Sequence, residues 1–136
     1  MPLYWTIDSK ARLFTAIAEG EVNLSDAMDL LDALAGSGAI PYCKLLDGRA
    51  ARVAMSGDDL LTICARIRSY HEQSGIGALA IVATAEQTLM YSRLLGALAS
   101  ADRPIKVFET PRRALNWLRE QTQSCFRDEA ADAARR

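Results

Sequence analysis

Leu79-Ala80-Ile81-Val82-Ala83 is an unbroken apolar run between Gly77 and Thr84. A run this short, with β-branched residues at its centre, reads as a strand buried on both faces, as in the middle of a parallel sheet. Its flanks agree with that reading. Upstream, Gly75 and Gly77 close a helical pattern. Downstream, Thr84 with Gln87 three residues later is a capping pattern that opens another helix. Parallel strands need crossovers of about this length.

Working outward towards the amino terminus, Leu60, Ile63, Cys64 and Ile67 form a helical stripe, and Ser56 with Asp59 is its capping pattern. A third strand is expected from Pro41 to Asp47, followed by a loop from Gly48 to Met55. Before it, Leu24, Met28, Leu31 and Leu34 recur at helical spacing, widened by Ala27 and Leu30, with Asp26, Asp29 and Asp32 on the solvent side. Asn23 or Ser25 caps that helix, and Gly36-Ser37-Gly38 ends it. At the start, Leu3, Trp5 and Ile7 alternate with Tyr4, Thr6 and Asp8. Asp8-Ser9-Lys10 is turn chemistry, and Arg12 to Ala18 is the second strand. So short a connection makes these two strands an antiparallel hairpin.

Towards the carboxyl terminus, the helix opened by Thr84 carries Leu94, Leu95 and Leu98 and breaks at Asp102-Arg103-Pro104. Ile105 to Phe108 is the last strand. Thr110 then caps a final helix, with Pro111 at its first position, where the missing N–H costs nothing. Leu115, Trp117 and Leu118 anchor it. The order is β-β-α-β-α-β-α-β-α, an α/β fold with a five-stranded mixed sheet opened by an antiparallel hairpin. Residues 1–123 are expected to form a single domain. Residues 124–136, charged and alanine-rich without an apolar stripe, are expected to be a frayed helix or a disordered tail.

Composition narrows the function classes. The 136 residues are 50% hydrophobic and 24% charged, with a formal net charge of −1. Nucleic-acid binders usually carry a basic excess, so no nucleic-acid partner is expected. The opening MPLYWTIDSK is not a secretory signal, and no apolar run approaches the length of a membrane span. Cys43, Cys64 and Cys125 lie far apart without a CxxC spacing. That suggests neither a disulfide framework nor a zinc site and fits a reducing compartment, so the expected location is cytoplasmic.

The strand Leu79–Ala83 and the closing stretch Ile105-Lys106-Val107-Phe108-Glu109-Thr110-Pro111-Arg112-Arg113-Ala114-Leu115-Asn116-Trp117-Leu118 resemble those of the SpoIIAA-like proteins. These are bacterial relatives of the STAS domains, named for sulfate transporters and anti-sigma-factor antagonists. The resemblance runs from about Leu3 to Leu118 and implies a STAS-like, Sec14-like fold that binds rather than catalyses. In the antagonists a serine at the start of the helix after the third strand is phosphorylated, which switches partner binding. Ser56 stands at that junction. The antagonists have an Asp-Ser-Ser-Gly run where this chain has Ala54-Met55-Ser56-Gly57, so the aspartate and the second serine are missing.

Each candidate site residue has a plain reading beside the functional one. Ser56 is a complete N-cap in its own right, and a phosphate there would meet repulsion from Asp58 and Asp59. Arg49 and Arg52 suit an anion held against a helix N-terminus, or else pair with Asp47, Asp58 or Asp59. Ligands of α/β folds bind past the carboxyl ends of the strands, where Asp47, Thr84, Glu86, Glu109 and Thr110 fall. His71, the single histidine, lacks the partners of a triad or a metal site and suits the last turn of a helix. Cys43 and Cys64 read as core fillers, and Cys125 as an exposed thiol. Arg112, Arg113 and Arg119 form a basic spot on the final helix, for an acidic partner or for solvent.

The first functional expectation is a non-enzymatic regulatory module with a protein partner, contacted near the Arg49–Asp59 segment and the helix it opens. The second is a carrier or sensor of a small apolar or anionic ligand, with Met28, Met55 and Met90 as adaptable lining. Such a site is expected to enclose at least ~300 Å³. The third is an enzyme, for which no recognisable nucleophile and base occur together. No cofactor and no metal are expected. A homodimer is the commonest form of self-association for such a domain.

Overall fold

The structure, a computed structural model, describes residues 3–73, 77–88 and 104–121, the side chains of 71–73 excepted. Its strands are β1 (Leu3–Asp8), β2 (Leu13–Val22), β3 (Cys43–Val53), β4 (Leu79–Val82) and β5 (Ile105–Phe108). They lie side by side in that order, with β1 antiparallel to β2 and every later pair parallel. Helix α1 (Leu24–Gly36) joins β2 to β3, and α2 (Gly57–Gln73) joins β3 towards β4. Residues 85–88 and 111–121 are also helical. The expected hairpin and mixed sheet are therefore present. Residues 89–103, with Met90, Leu94, Leu95 and Leu98, lie outside the described residues, as do Cys125 and the tail.

The two faces of the sheet have different covers. Phe14 and Ala16 of β2 pack with Leu31 and Leu34 of α1 and with Cys64 and Ile67 of α2. A sheet that grows in one direction through right-handed crossovers puts its helices on one face in this way. On the other face Leu45, Ala80 and Val82 pack against Ala114 and Leu118 of the last helix. Both faces of Leu79–Val82 are thus occupied, and Ala80, Val82 and the following Ala83 are fully buried. That matches the reading of this run as a central strand.

Two expected boundaries are corrected. Gly48 to Met55 is not a loop, because β3 continues to Val53. Arg12 is not in a strand, because it sits in the turn with a positive φ of 52°. The continuation of β3 has a partner because β2 also runs on, to Val22. Between Ile17 and Glu19 the register shifts, with one extra residue on β3. Such a bulge turns the following side chains over. Leu45, ahead of it, faces the carboxyl-terminal helix. Ala51, beyond it, packs with Leu3, Ala18 and Val22 under α1.

Of the two candidate caps for α1, Asn23 is the one used. Its side chain accepts from the Asp26 N–H, and Asp26 accepts from the Asn23 N–H. Asp26 is therefore more than a solvated face. Gly38, at φ 73°, turns the chain out of the helix where a side chain would be strained. Gly77 has a different duty from the expected helix stop. A Cβ there would overlap the carbonyl oxygens of Pro41 and Tyr42.

Candidate functional site

Because the helices follow parallel strands, their amino ends gather along one edge of the sheet. Each is closed by a side chain from the chain itself. Asn23 and Asp26 cap α1. Ser56 and Asp59 cap α2: Ser56 Oγ accepts from the Asp59 N–H at 3.1 Å, and the Asp59 carboxylate accepts from the Ser56 N–H at 3.0 Å. Thr84 and Gln87 do the same for residues 85–88, at 3.3 and 2.9 Å. Thr110 Oγ1 accepts from the Arg113 N–H at 3.3 Å. Each box satisfies N–H groups that a helix start leaves without an intrahelical partner.

Asp47 marks the place where β3 parts from β4 and bulges. Arg49 grips it with both arms of its guanidinium, Nε to Oδ1 at 3.0 Å and Nη2 to Oδ2 at 2.8 Å. The Arg49 N–H adds a further bond at 3.2 Å. The Arg49 hydrogen bond holds the Asp47 carboxyl below its usual value, with partial burial opposing. Arg52 turns instead to Glu21 on β2, at 3.0 Å on an exposed surface. The two arginines thus reach separate carboxylates and do not converge on Ser56. Asp58 and Glu109 are exposed, and Glu86 lies in solvent beside the Thr84 cap.

Gln87 carries a duty that the sequence reading missed. While its Oε1 closes the Thr84 cap, its Nε2 donates to the carbonyls of Gly48, Arg49 and Ala51, at 3.1, 3.3 and 3.2 Å. It fastens the helix start to the far, bulged part of β3. Lys44 was missed as well. It is buried at the opposite end of the sheet, and its Nζ donates to the carbonyls of Ile40 and Tyr42. Local pattern shows neither, since a glutamine three residues after a threonine already has a role as a cap.

Beyond Ser56, the outer side of α2 carries Asp58, Leu61, Ala65 and Arg68, all exposed and spaced along one helical stripe. Leu61 is 62% exposed, the most exposed large apolar side chain among the described residues. His71 lies on the last turn of α2. Among the described residues there is no group of three or more His, Cys, Asp or Glu side chains that would hold a metal ion. No helix among them is long and apolar enough to cross a membrane.

The five-stranded mixed sheet, the hairpin at its start and the helix split between its two faces define a SpoIIAA-like, STAS-like α/β fold. Solved structures that share it include the following two. One is an uncharacterized protein of the DUF3478 family with a SpoIIAA-like fold from Shewanella loihica PV-4. It is 18% identical, with a TM-score of 0.58, over 85% of this chain and 93% of that one. The other is an anti-sigma factor antagonist from Mycobacterium paratuberculosis. It is 17% identical, with a TM-score of 0.56, over 86% of this chain and 94% of that one. At these identities the likeness is one of fold. No family model matches the sequence, and no curated protein matches it.

Proposed function

We propose that this protein is a cytoplasmic regulatory module of the STAS type that works by binding a protein partner rather than by catalysis. The observation that carries the reading is the start of α2. Ser56 stands exposed at its N-cap, and Leu61 stands bare one turn on, beside Asp58 and Ala65. A bare apolar side chain next to a charged one suits a small interface, whose core is apolar and whose rim is polar. One structural neighbour is named an anti-sigma factor antagonist, which supports the same class of role. Ser56 is the proposed point of control. A phosphate there would break the box with Asp59 and add negative charge beside Asp58 and Asp59, changing the face a partner meets.

The test uses the protein as bait in an extract of its own host. Wild type is expected to retain a specific protein, and Leu61→Asp to lose it. Tyr4→Asp, on the opposite face of the sheet, is expected to keep it. Ser56→Glu is expected to weaken capture. Equal recovery by wild type and Leu61→Asp would remove α2 from the proposal.

A further inference from the structure

A cavity of about 210 Å³ lies between the α1 and α2 helices and the sheet face they cover. Among its described lining residues only Lys44 and Tyr70 carry a hydrogen-bonding side chain. Both of these groups are engaged elsewhere. Lys44 Nζ donates to the Ile40 and Tyr42 carbonyls, and the Tyr70 hydroxyl donates to the Leu31 carbonyl at 3.4 Å. Water in such a space finds few partners, and an empty apolar space forfeits dispersion contacts along its walls. An engineered apolar cavity of about 150 Å³ in another protein stays dry and takes up benzene.

The position of the cavity is as telling as its walls. The two helices are tied together in their second halves, by Arg66 to Asp32 at 2.7 Å and by Tyr70 to Leu31. Nearer their starts, Leu30 of α1 and Leu60 and Ile63 of α2 line the cavity. Val53 and Met55, which lead directly into the Ser56 cap, line it as well.

We propose that this cavity is a binding site for a neutral, hydrocarbon-rich small molecule somewhat larger than benzene. Apart from Lys44 and Tyr70, both turned to backbone carbonyls, the described walls offer an anionic head group no side-chain donor, so the ligand they fit best is uncharged. The space is smaller than the ~300 Å³ expected of a drug-sized site, which limits the ligand to a single ring with a short alkyl arm, or to a short chain. Occupancy is felt at the start of α2, because Met55 and Leu60 flank Ser56 on either side.

The test titrates the purified full chain with n-butylbenzene, and with benzoate as the charged control. It follows the thermal midpoint and the backbone amide resonances. n-Butylbenzene is expected to raise the midpoint with concentration, as any ligand of the native state does, and to shift the amides of Val53, Leu60 and Ile63. Benzoate is expected to do neither. Ala16→Leu, which fills the space from β2, is expected to weaken n-butylbenzene binding roughly tenfold or more. Ala27→Leu, on the α1 wall, repeats the test should the first variant fail to fold. Tyr4→Asp, exposed on the opposite face of the sheet and away from the cavity walls, is expected to leave n-butylbenzene affinity unchanged. An unmoved midpoint at saturating n-butylbenzene, or equal affinity in the filled variants, would overturn the proposal.

Discussion

The two edges of the parallel strands are built on opposite plans. At the amino edge, the chain before β3 and the chain before β4 are pressed together. Gly77 lies against the Pro41 and Tyr42 carbonyls, its N–H donates to the Ile40 carbonyl, and Lys44 is buried over the same turn. Nothing there can grow or move without displacing backbone. At the carboxyl edge, the helix starts are closed by bonds spanning three residues, Asn23 with Asp26, Ser56 with Asp59, Thr84 with Gln87. Their outer sides remain in solvent. Tertiary exclusion fixes one edge and local hydrogen bonding fixes the other. A surface stabilised locally can change its side chains without unfolding the sheet, and the partner face proposed above lies at this carboxyl edge.

The largest test of that contrast is Gly77→Ala. The added carbon cannot fit unless backbone shifts, and a shift breaks the bond to Ile40. A loss of about 3 kcal/mol or more is expected in urea unfolding, the scale of severe overpacking. A loss below that of the cap variants would break the comparison. Next comes Gln87→Glu, at the one cap residue of the carboxyl edge that, among the described residues, is also held by distant backbone. It removes the donor from the three carbonyls and sets a carboxylate against them. A loss of about 2 kcal/mol is expected, with Gln87→Leu nearer the lower end of the range for unpaired polar groups. Ser56→Ala should then cost about 1 kcal/mol, the ordinary worth of an N-cap, with the far-ultraviolet circular dichroism unchanged. If Ser56→Ala cost as much as Gln87→Glu, the start of α2 would be held by more than its cap.

The same contrast separates what was legible in the sequence from what was not. The caps, the hairpin, Pro111 and the Leu79–Ala83 strand all rest on residues within a few positions of one another, and each is where the pattern puts it. The extension of β3 was hidden by its own bulge. Period-two reading fails when one extra residue moves the buried positions from Leu45 to Ala51, so Gly48 to Val53 looks like a loop. Lys44 was hidden because a lysine beside Cys43 reads as solvent-facing until the carbonyls of Ile40 and Tyr42 fold back onto it. Gln87 meets carbonyls 36 to 39 residues earlier in the chain, and Arg52 meets Glu21 31 residues away. Neither partner follows from spacing. At the candidate site the residue types were readable, but the Arg52–Glu21 pair was set by the β2–β3 register and the Arg49–Asp47 grip by the bulge in β3.

The smallest effect expected is at Asp47, and it is a pH effect. The Arg49 guanidinium holds the carboxyl below its unfolded value of 3.8. A carboxyl whose folded value is depressed binds fewer protons in the native state than in the unfolded one. Its contribution is complete above pH 3.8 and fades as pH falls through the lower folded value. Wild type and Asp47→Asn should therefore differ in stability near neutral pH and converge as acid protonates the wild-type carboxyl. The arginine lies in solvent, so about 1 M salt should shrink the difference. A difference that persisted in strong acid would mean that Asp47 acts through packing at the bulge rather than through its charge. The carboxyl edge would then share the tertiary plan of the amino edge at this one point.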